Sequence, residues 1–155
     1  MKKQKGFSLI ELLIVVAIIL IIAAIAIPNL MRARMSANEA SAVGSVRTIN
    51  TSEVQYNSTY GQGFATNLAA LGGAAGTCTA SNTTACLLDS VLAGGQKSGY
   101  NFTAPGANNN QTYTVTAIPV AVGQTGQRAF FSDQSGVIRY NTAGTAADST
   151  SPALQ

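Results

Sequence analysis

Residues 7–27, FSLIELLIVVAIILIIAAIAI, decide the architecture of this chain. The segment holds one charged residue, Glu11, in 21 positions. As an α-helix with about 1.5 Å of rise per residue it spans about 32 Å, which is the thickness of a bilayer core. The sequence therefore predicts a helix that can cross a membrane once.

The charges on either side of this segment predict its orientation. Lys2, Lys3, Lys5 and the chain's amino group precede it, and Arg32 and Arg34 follow it. By the positive-inside rule the more basic flank stays in the cytoplasm, here by a narrow margin. We therefore expect a cytoplasmic N-terminus and a body on the other side of the membrane.

The net charge of +3 belongs to the first residues of the chain. Without residues 1–6 the remaining six cations balance six anions, so the basic pI gives no indication of a nucleic-acid-binding face. Charged residues make up only 10% of the chain, and Asn, Thr, Ser, Gly, Gln and Ala dominate beyond residue 60. This neutral polar composition is common in extracellular surfaces and appendages.

The residue inventory argues against an enzyme. The chain has no His and two Cys, which excludes His-based acid–base chemistry, the usual zinc ligand sets and Ser–His or Cys–His nucleophile pairs. Asp89, Asp133 and Asp148 lie far apart in sequence and form no paired-carboxylate motif. We predict no catalytic residues, no metal site and no cofactor.

A helical pattern resumes after the apolar segment. Pro28 predicts a local break, but residues 29–56 contain no further proline, so one long helix is expected, ending at Gly61 and Gly63. Its packing face is predicted from a stripe of small and apolar residues three or four apart: Leu30, Ala33, Ala37, Ala40, Val43, Val46 and Ile49.

The rest of the chain predicts short helical turns and strands. Single turns stopped by glycine pairs are expected at residues 68–71 and 87–93. Strands are expected at residues 100–103, 113–120, 128–132 and 137–140, joined by turn-rich stretches in an antiparallel meander. The predicted fold class is α+β: a long N-terminal helix, transmembrane in its N-terminal half, packed on a C-terminal antiparallel β-sheet of about four strands.

The sharpest motif is residues 5–11, KGFSLIE, at the start of the apolar segment. Here the chain resembles the type IV pilin and pseudopilin precursors, whose cleavage and methylation signature is G-F-[ST]-L-x-E. The resemblance runs from about Lys2 to Arg34 and is looser beyond. It implies that a prepilin peptidase cuts between Gly6 and Phe7 and that the new amine of Phe7 is N-methylated, which makes both of them processing residues.

Glu11 points to assembly on physical grounds as well. A carboxylate in a membrane-spanning helix costs about 2.5 to 3.5 kcal/mol, so a partner is expected. The resemblance supplies one, the Phe7 amine of a neighbouring subunit; the alternatives are a protonated Glu11 or a bond to the amine of its own chain. Pro28 is the second assembly residue, because in the family it marks a stretch that loses helicity when subunits pack.

Two other interpretations of the N-terminus stay open. Ala24-Ile25-Ala26 fits the cleavage site of a secretory signal peptide, although the apolar run is long for one and contains Glu11. A plain membrane anchor is the second alternative, and only the arrangement of Gly6, Phe7 and Glu11 argues against it.

The resemblance implies a domain organisation and a function. Residues 1–6 would be a cleaved leader, 7–28 the transmembrane and filament-core half of the helix, and 29–155 an extracytoplasmic globular domain. The expected function is a structural subunit of a type IV pilus for adhesion, twitching motility or DNA uptake, moving from the inner membrane to the extracellular filament. Expected partners are other copies of the chain, a prepilin peptidase and methylase, and an assembly platform with its ATPase. A type II secretion pseudopilin or a lone membrane-anchored binding domain is the alternative.

Cys78 and Cys86 enclose a short polar loop. An extracellular location favours a disulfide between them. Closing so short a loop stabilises the fold by roughly 2.5 kcal/mol in the chain-entropy model. We expect the bond to constrain this loop alone.

Overall fold

The computed structural model describes residues 6–73 and 76–154. The predicted leader, apart from Gly6, lies outside these residues. In chain order the elements are α1 (Leu9–Tyr60), α2 (Leu68–Leu71), α3 (Ser90–Ala93), β1 (Gln96–Lys97), β2 (Tyr100–Thr103), β3 (Gly106–Ala107), β4 (Thr112–Pro119), β5 (Ala129–Asp133) and β6 (Arg139–Asn141).

Helix α1 is continuous through Pro28, so the local break predicted there is absent. Proline removes the hydrogen bond to the carbonyl four residues earlier, but the good helix formers on both sides carry the helix across the gap. The helix ends where the sequence predicts. Gly61 adopts a φ of 63°, and its N–H donates to the Asn57 carbonyl at 2.9 Å, which closes the last turn.

The chain divides into two compact units, Met1–Arg34 and Met35–Gln155. In the first unit the large apolar side chains are exposed; Phe7 and Leu9 are each 80% exposed and Ile25 is 62% exposed. The most apolar 18 residues of α1 have a mean hydropathy of 3.3, and none of them is buried. By length and composition α1 is therefore a candidate membrane span.

The second unit is built on an antiparallel sheet of six strands. The strand order is β1-β2-β4-β5-β6, and β3 pairs with β4. The four strands and the meander predicted from the sequence are confirmed, with boundaries that differ by one or two residues. The fold class is confirmed as α+β, with two additional strands, β1 and β3. Each of these has only two residues, too few to show any alternation of apolar and polar side chains.

The two helical turns were predicted with different accuracy. Helix α2 has the predicted bounds, and Asn67 caps it by accepting a hydrogen bond from the Ala70 N–H at 3.0 Å. Helix α3 begins at Ser90 and not at residue 87, because the Asp89 carboxylate accepts from the Leu92 N–H at 2.9 Å and fixes the helix start there.

Residues 35–60 of α1 pack against one face of the sheet. Strand β4 alternates regularly between buried and half-buried positions, as expected for a strand with one face on a core. The best-buried apolar side chains come from both layers: Ala42, Val46, Ile49, Tyr100, Val115, Ala117 and Phe130.

The predicted packing stripe of α1 was right only at its C-terminal end. Val46 and Ile49 are fully buried, Val43 is half-buried, and the other four predicted positions are exposed. The buried face instead includes two carboxylates, Glu39 and Glu53. A search for apolar residues along α1 could not identify this face as the buried one. The two carboxylates are buried because they accept hydrogen bonds from residues elsewhere in the chain.

Candidate functional site

At the start of helix α1 the predicted assembly carboxylate, Glu11, makes one of the two hydrogen bonds of a capping box. Ser8 immediately precedes the helix, and its carbonyl accepts from the Leu12 N–H at 3.3 Å. The Ser8 N–H donates to Glu11 Oε2 at 2.9 Å. Glutamate at the third helical position satisfies one of the donors that a helix start leaves unpaired. Among the described residues, Glu11 is therefore held by a backbone N–H of its own chain.

The two predicted processing residues are fully accessible. A Cβ added at Gly6 would meet nothing within 4 Å, and Phe7 is 80% exposed. Nothing in the described structure therefore requires glycine at position 6. If that position needs a residue without a side chain, the requirement comes from a protein that binds there.

Pro28 lies in α1 among exposed apolar side chains. Ile25, Ile27 and Leu30 around it are 58–68% exposed. The chain offers these side chains no apolar partner among the described residues of its first compact unit. A role of Pro28 in assembly stays a prediction.

The predicted disulfide is confirmed. Cys78 and Cys86 are bonded, with their Cα atoms 6.0 Å apart. The bonded loop is attached to α2, because the Cys86 N–H donates to the Gly72 carbonyl at 3.0 Å and the Leu87 N–H to the Leu71 carbonyl at 2.8 Å. A side chain at Gly73 would overlap Cys78 Sγ, so that glycine is required by the close approach of the sulfur.

We expect replacement of both cysteines by serine to lower the melting temperature without unfolding the second unit. The lost constraint is worth about 2.5 kcal/mol, or roughly 10 °C for a domain of this size. Thermal unfolding of the detergent-solubilised chain, followed by circular dichroism, measures the change. Reduction of the unmutated chain should reproduce it, and an unchanged melting temperature in both cases would show that the bond adds no stability.

Glu39 joins α1 to the chain before β5 through three hydrogen bonds. Its Oε1 accepts from the Gln127 N–H at 2.8 Å and the Arg128 N–H at 3.1 Å, and its Oε2 accepts from Arg128 Nε at 2.7 Å. Burial raises the pKa of this carboxyl, but the hydrogen bonds from Gln127 and Arg128 outweigh it and leave the pKa below its ordinary value. The Arg128 guanidinium also lies 5.6 Å from the Phe130 ring centroid, a cation–π distance.

Glu53 is the other buried carboxylate, and it is poorly paired. It is 0% exposed, and its Oε2 accepts one hydrogen bond, from the Ala65 N–H at 2.9 Å. Its Oε1 has no hydrogen-bond partner among the described residues. Burial raises the pKa of Glu53 to about 7, against a smaller lowering effect of the Ala65 bond. A group that titrates near neutral pH therefore lies under the loop that follows α1.

The burial of Glu39 and Glu53 has no clear signal in the sequence. They share one helical face with Val46 and Tyr56, but carboxylates on a helical face are ordinarily exposed to solvent. The spacing Ser8-x-x-Glu11, by contrast, is a readable capping-box pattern. The tertiary structure was needed to show the buried face of α1 and the partners on it, Arg128 and the Ala65 N–H.

Comparison with known proteins gives two matches at the N-terminus. Residues 1–27 match the family model described as the prokaryotic N-terminal methylation motif. The chain is 64% identical over 39 residues to the type IV wide pilus major component PilA4 of Thermus thermophilus. That alignment covers 25% of this chain and 30% of the relative, so the chain spans less than a third of the relative's length. No solved structure matches the chain.

Both matches lie at the N-terminus of the chain, so the similarity to prepilins and to a type IV pilin concerns this segment.

Proposed function

We propose that this protein is a structural subunit of a type IV pilus. The observation that carries the proposal is the first compact unit, in which a long run of large apolar side chains is exposed and begins with the methylation motif. Such a surface needs lipid or other apolar helices around it. A pilus subunit is surrounded by lipid while it lies in the membrane, and by the apolar helices of its own copies once it is in the filament.

The proposed path starts in the inner membrane, with the N-terminus in the cytoplasm. A prepilin peptidase removes residues 1–6 and methylates Phe7, and an assembly platform driven by an ATPase adds the mature subunit to the filament. Residues 7–28 then form the filament core, and residues 29–155 form the part outside it. The name of the Thermus relative, a major component of a wide pilus, supports this path. The fibre would serve adhesion, twitching motility or DNA uptake, and its role is structural and not catalytic.

We expect Gly6→Val to leave the precursor uncleaved in the membrane. A peptidase that reads a narrow backbone site accepts little beyond hydrogen at this position, whereas the fold itself leaves room for a side chain. Mass spectrometry of the membrane-bound protein measures the mature N-terminus and its methyl group.

The matched control is Gly44→Val, because a Cβ at Gly44 also meets nothing within 4 Å. The control should be cleaved and methylated normally. A Gly6→Val chain that matures with methylated Phe7 at its N-terminus would show that the cut is specified elsewhere. An unmutated chain found cut after Ala26 would establish a secretory signal peptide and overturn the proposed function.

Electron microscopy of surface filaments separates the remaining alternatives. A pilus subunit should be recovered as the main component of long filaments that bind antibody against the second compact unit. Recovery of the methylated protein only in membranes, while the assembly machinery is active, would favour a lone anchored domain.

A further inference from the structure

A cavity lies in the second compact unit, away from the N-terminal motif. Its volume is about 490 Å³, within the range of about 300 to 1,000 Å³ that small-molecule sites occupy. It is bounded by the end of α1, by residues 62–67, by the loop that the disulfide closes and by Asn110. No part of it is used by the processing or assembly motif.

The lining of the cavity is neutral and rich in hydrogen-bonding groups. Seven of its eleven lining residues are Asn, Gln or Thr, and none is charged. The side-chain amides of Gln62, Asn82 and Asn110 make no hydrogen bond to another described residue. Each amide offers donors and an acceptor. The cavity therefore presents several unused hydrogen-bonding groups of both kinds.

Two aromatic rings complete the lining. Tyr56 and Phe64 both contribute to the wall. Each ring is held by another aromatic side chain, Tyr60 at 4.9 Å from Tyr56 and Tyr113 at 4.6 Å from Phe64, measured between ring centroids. Rigid aromatic surface beside free amides suits a ligand with apolar C–H faces and hydroxyl edges.

The walls are fixed before any ligand binds. The Tyr56 hydroxyl donates to the Asn82 carbonyl at 2.6 Å, and the Phe64 N–H donates to the Asn110 carbonyl at 2.7 Å. A side chain at Gly63 would overlap that same carbonyl oxygen. These contacts fix the backbone at Asn82 and Asn110, so binding has to order only the side chains there.

The wall at Asn110 is also conformationally unusual. Asn108, Asn109 and Asn110 have φ values of 50°, 54° and 62°. Asparagine tolerates the left-handed region better than most residues, and these three form the turn between β3 and β4. This turn sets the Asn110 amide at the edge of the cavity.

We propose that this cavity binds a neutral saccharide. An anionic ligand would find no charged partner here and would lose hydration without compensation. A purely apolar ligand would leave the free amides unpaired. A neutral saccharide satisfies the amides with its hydroxyls and covers the half-buried Phe64 ring with its C–H face. Binding at this cavity does not depend on the pilus function.

The test uses the full chain in a zwitterionic detergent, because sugar-headed detergents would compete for the cavity. The probes are maltose, mannobiose and N,N′-diacetylchitobiose, with sialyllactose as the anionic comparison. Saturation-transfer NMR detects binding, and titration gives the Kd. We expect at least one neutral disaccharide to bind and sialyllactose to bind at least tenfold more weakly.

The deciding variants are Asn110→Gly and Asn109→Gly. Glycine keeps the positive φ at either position and removes one amide, but only Asn110 lines the cavity. We expect Asn110→Gly to raise the Kd roughly fivefold or more, the effect of one lost hydrogen bond of about 1 kcal/mol, and Asn109→Gly to leave it unchanged. Asn82→Ala, at an exposed side chain, should act like Asn110→Gly and serves as the second variant if the glycine disturbs folding.

Absence of binding by all three neutral probes to the folded chain would overturn the proposal. Equal affinities of the Asn110→Gly, Asn82→Ala and Asn109→Gly chains would overturn it as well, because binding would then lie elsewhere on the protein.

Discussion

A chain carrying Glu11→Val is expected to be cleaved, to accumulate in the membrane and to build no filaments. Valine removes the insertion cost of a carboxylate in the apolar segment, so the precursor should insert at least as well as the unmutated one. Assembly would fail because the neighbour's Phe7 amine would lose its partner in surroundings where an unpaired charge is costly. Filaments are counted by electron microscopy, and the mature subunit is measured by immunoblotting of membranes.

The hydrogen bond from the Ser8 N–H to Glu11 makes a second substitution necessary. Glu11 also accepts the Ser8 N–H at 2.9 Å, so valine removes a helix cap and a charge together. Glu11→Gln separates the two, because an amide oxygen can still accept from the Ser8 N–H while the charge is gone. We expect Glu11→Gln to build no filaments either, and Glu11→Asp to be impaired less.

Two results would contradict this assignment. Normal filament numbers from the Val chain would show that the carboxylate is not an assembly contact. Normal numbers from the Gln chain, with none from the Val chain, would show that Glu11 acts as a helix cap and not as a charge partner.

The second unit is expected to lose up to about 3 kcal/mol of stability between pH 5 and pH 8. The pKa of Glu53 is raised from 4.5 to about 7 in the folded state. A raised pKa contributes stability that is fully present below the unfolded value, about 4.5, and is lost as the pH rises through about 7. A difference of one between the folded and unfolded pKa corresponds to about 1.36 kcal/mol. Denaturant unfolding of the full chain at several pH values measures the slope.

Between pH 5 and pH 8 the titration of Glu53 is separate from that of the other groups with a perturbed pKa. The chain has no His, and the pKa of Glu39 lies below its ordinary value. Of the tyrosines that interact electrostatically with Glu53, burial raises the pKa of Tyr113 to about 12 and also raises that of Tyr56. Neither tyrosine titrates between pH 5 and pH 8.

Glu53→Gln should remove this pH dependence, because its amide can still accept from the Ala65 N–H but does not titrate. Glu39→Gln is the matched control. This substitution removes the ion pair between Glu39 and Arg128. It should therefore lower the free energy of unfolding at every pH from 5 to 8 and leave its dependence on pH unchanged. An unmutated chain with equal stability at pH 5 and pH 8 would show that Glu53 is not neutral at the lower pH.

Much of the fold was readable from local pattern. The apolar run from residue 7 and the glycine at position 61 predicted the extent of α1, because helix continuation and termination depend on residues within one or two turns. The alternation along β4 and the turn residues between strands predicted the meander for the same reason. The strands β1 and β3 were not predicted, because a strand of two residues is too short to show an alternation of apolar and polar side chains.

The N-terminal motif was readable because its function depends on linear spacing. Gly6, Phe7 and Glu11 lie within one short segment, and a peptidase or a neighbouring helix meets them in that order. The comparisons matched this same segment. The disulfide was also readable, since two cysteines allow only one intramolecular pairing.

The sequence by itself thus determined the membrane-length helix, the processing motif, the cystine and the meander of the four longer strands. The tertiary structure alone decided which face of α1 is buried, why Glu39 accepts three hydrogen bonds and Glu53 only one, and how Asn82 and Asn110 come to face one cavity. Each of these features depends on contacts between residues that are far apart in sequence, such as Glu39 and Arg128. The energies of these contacts depend on burial and on the direction of single hydrogen bonds, which the sequence around each residue does not specify.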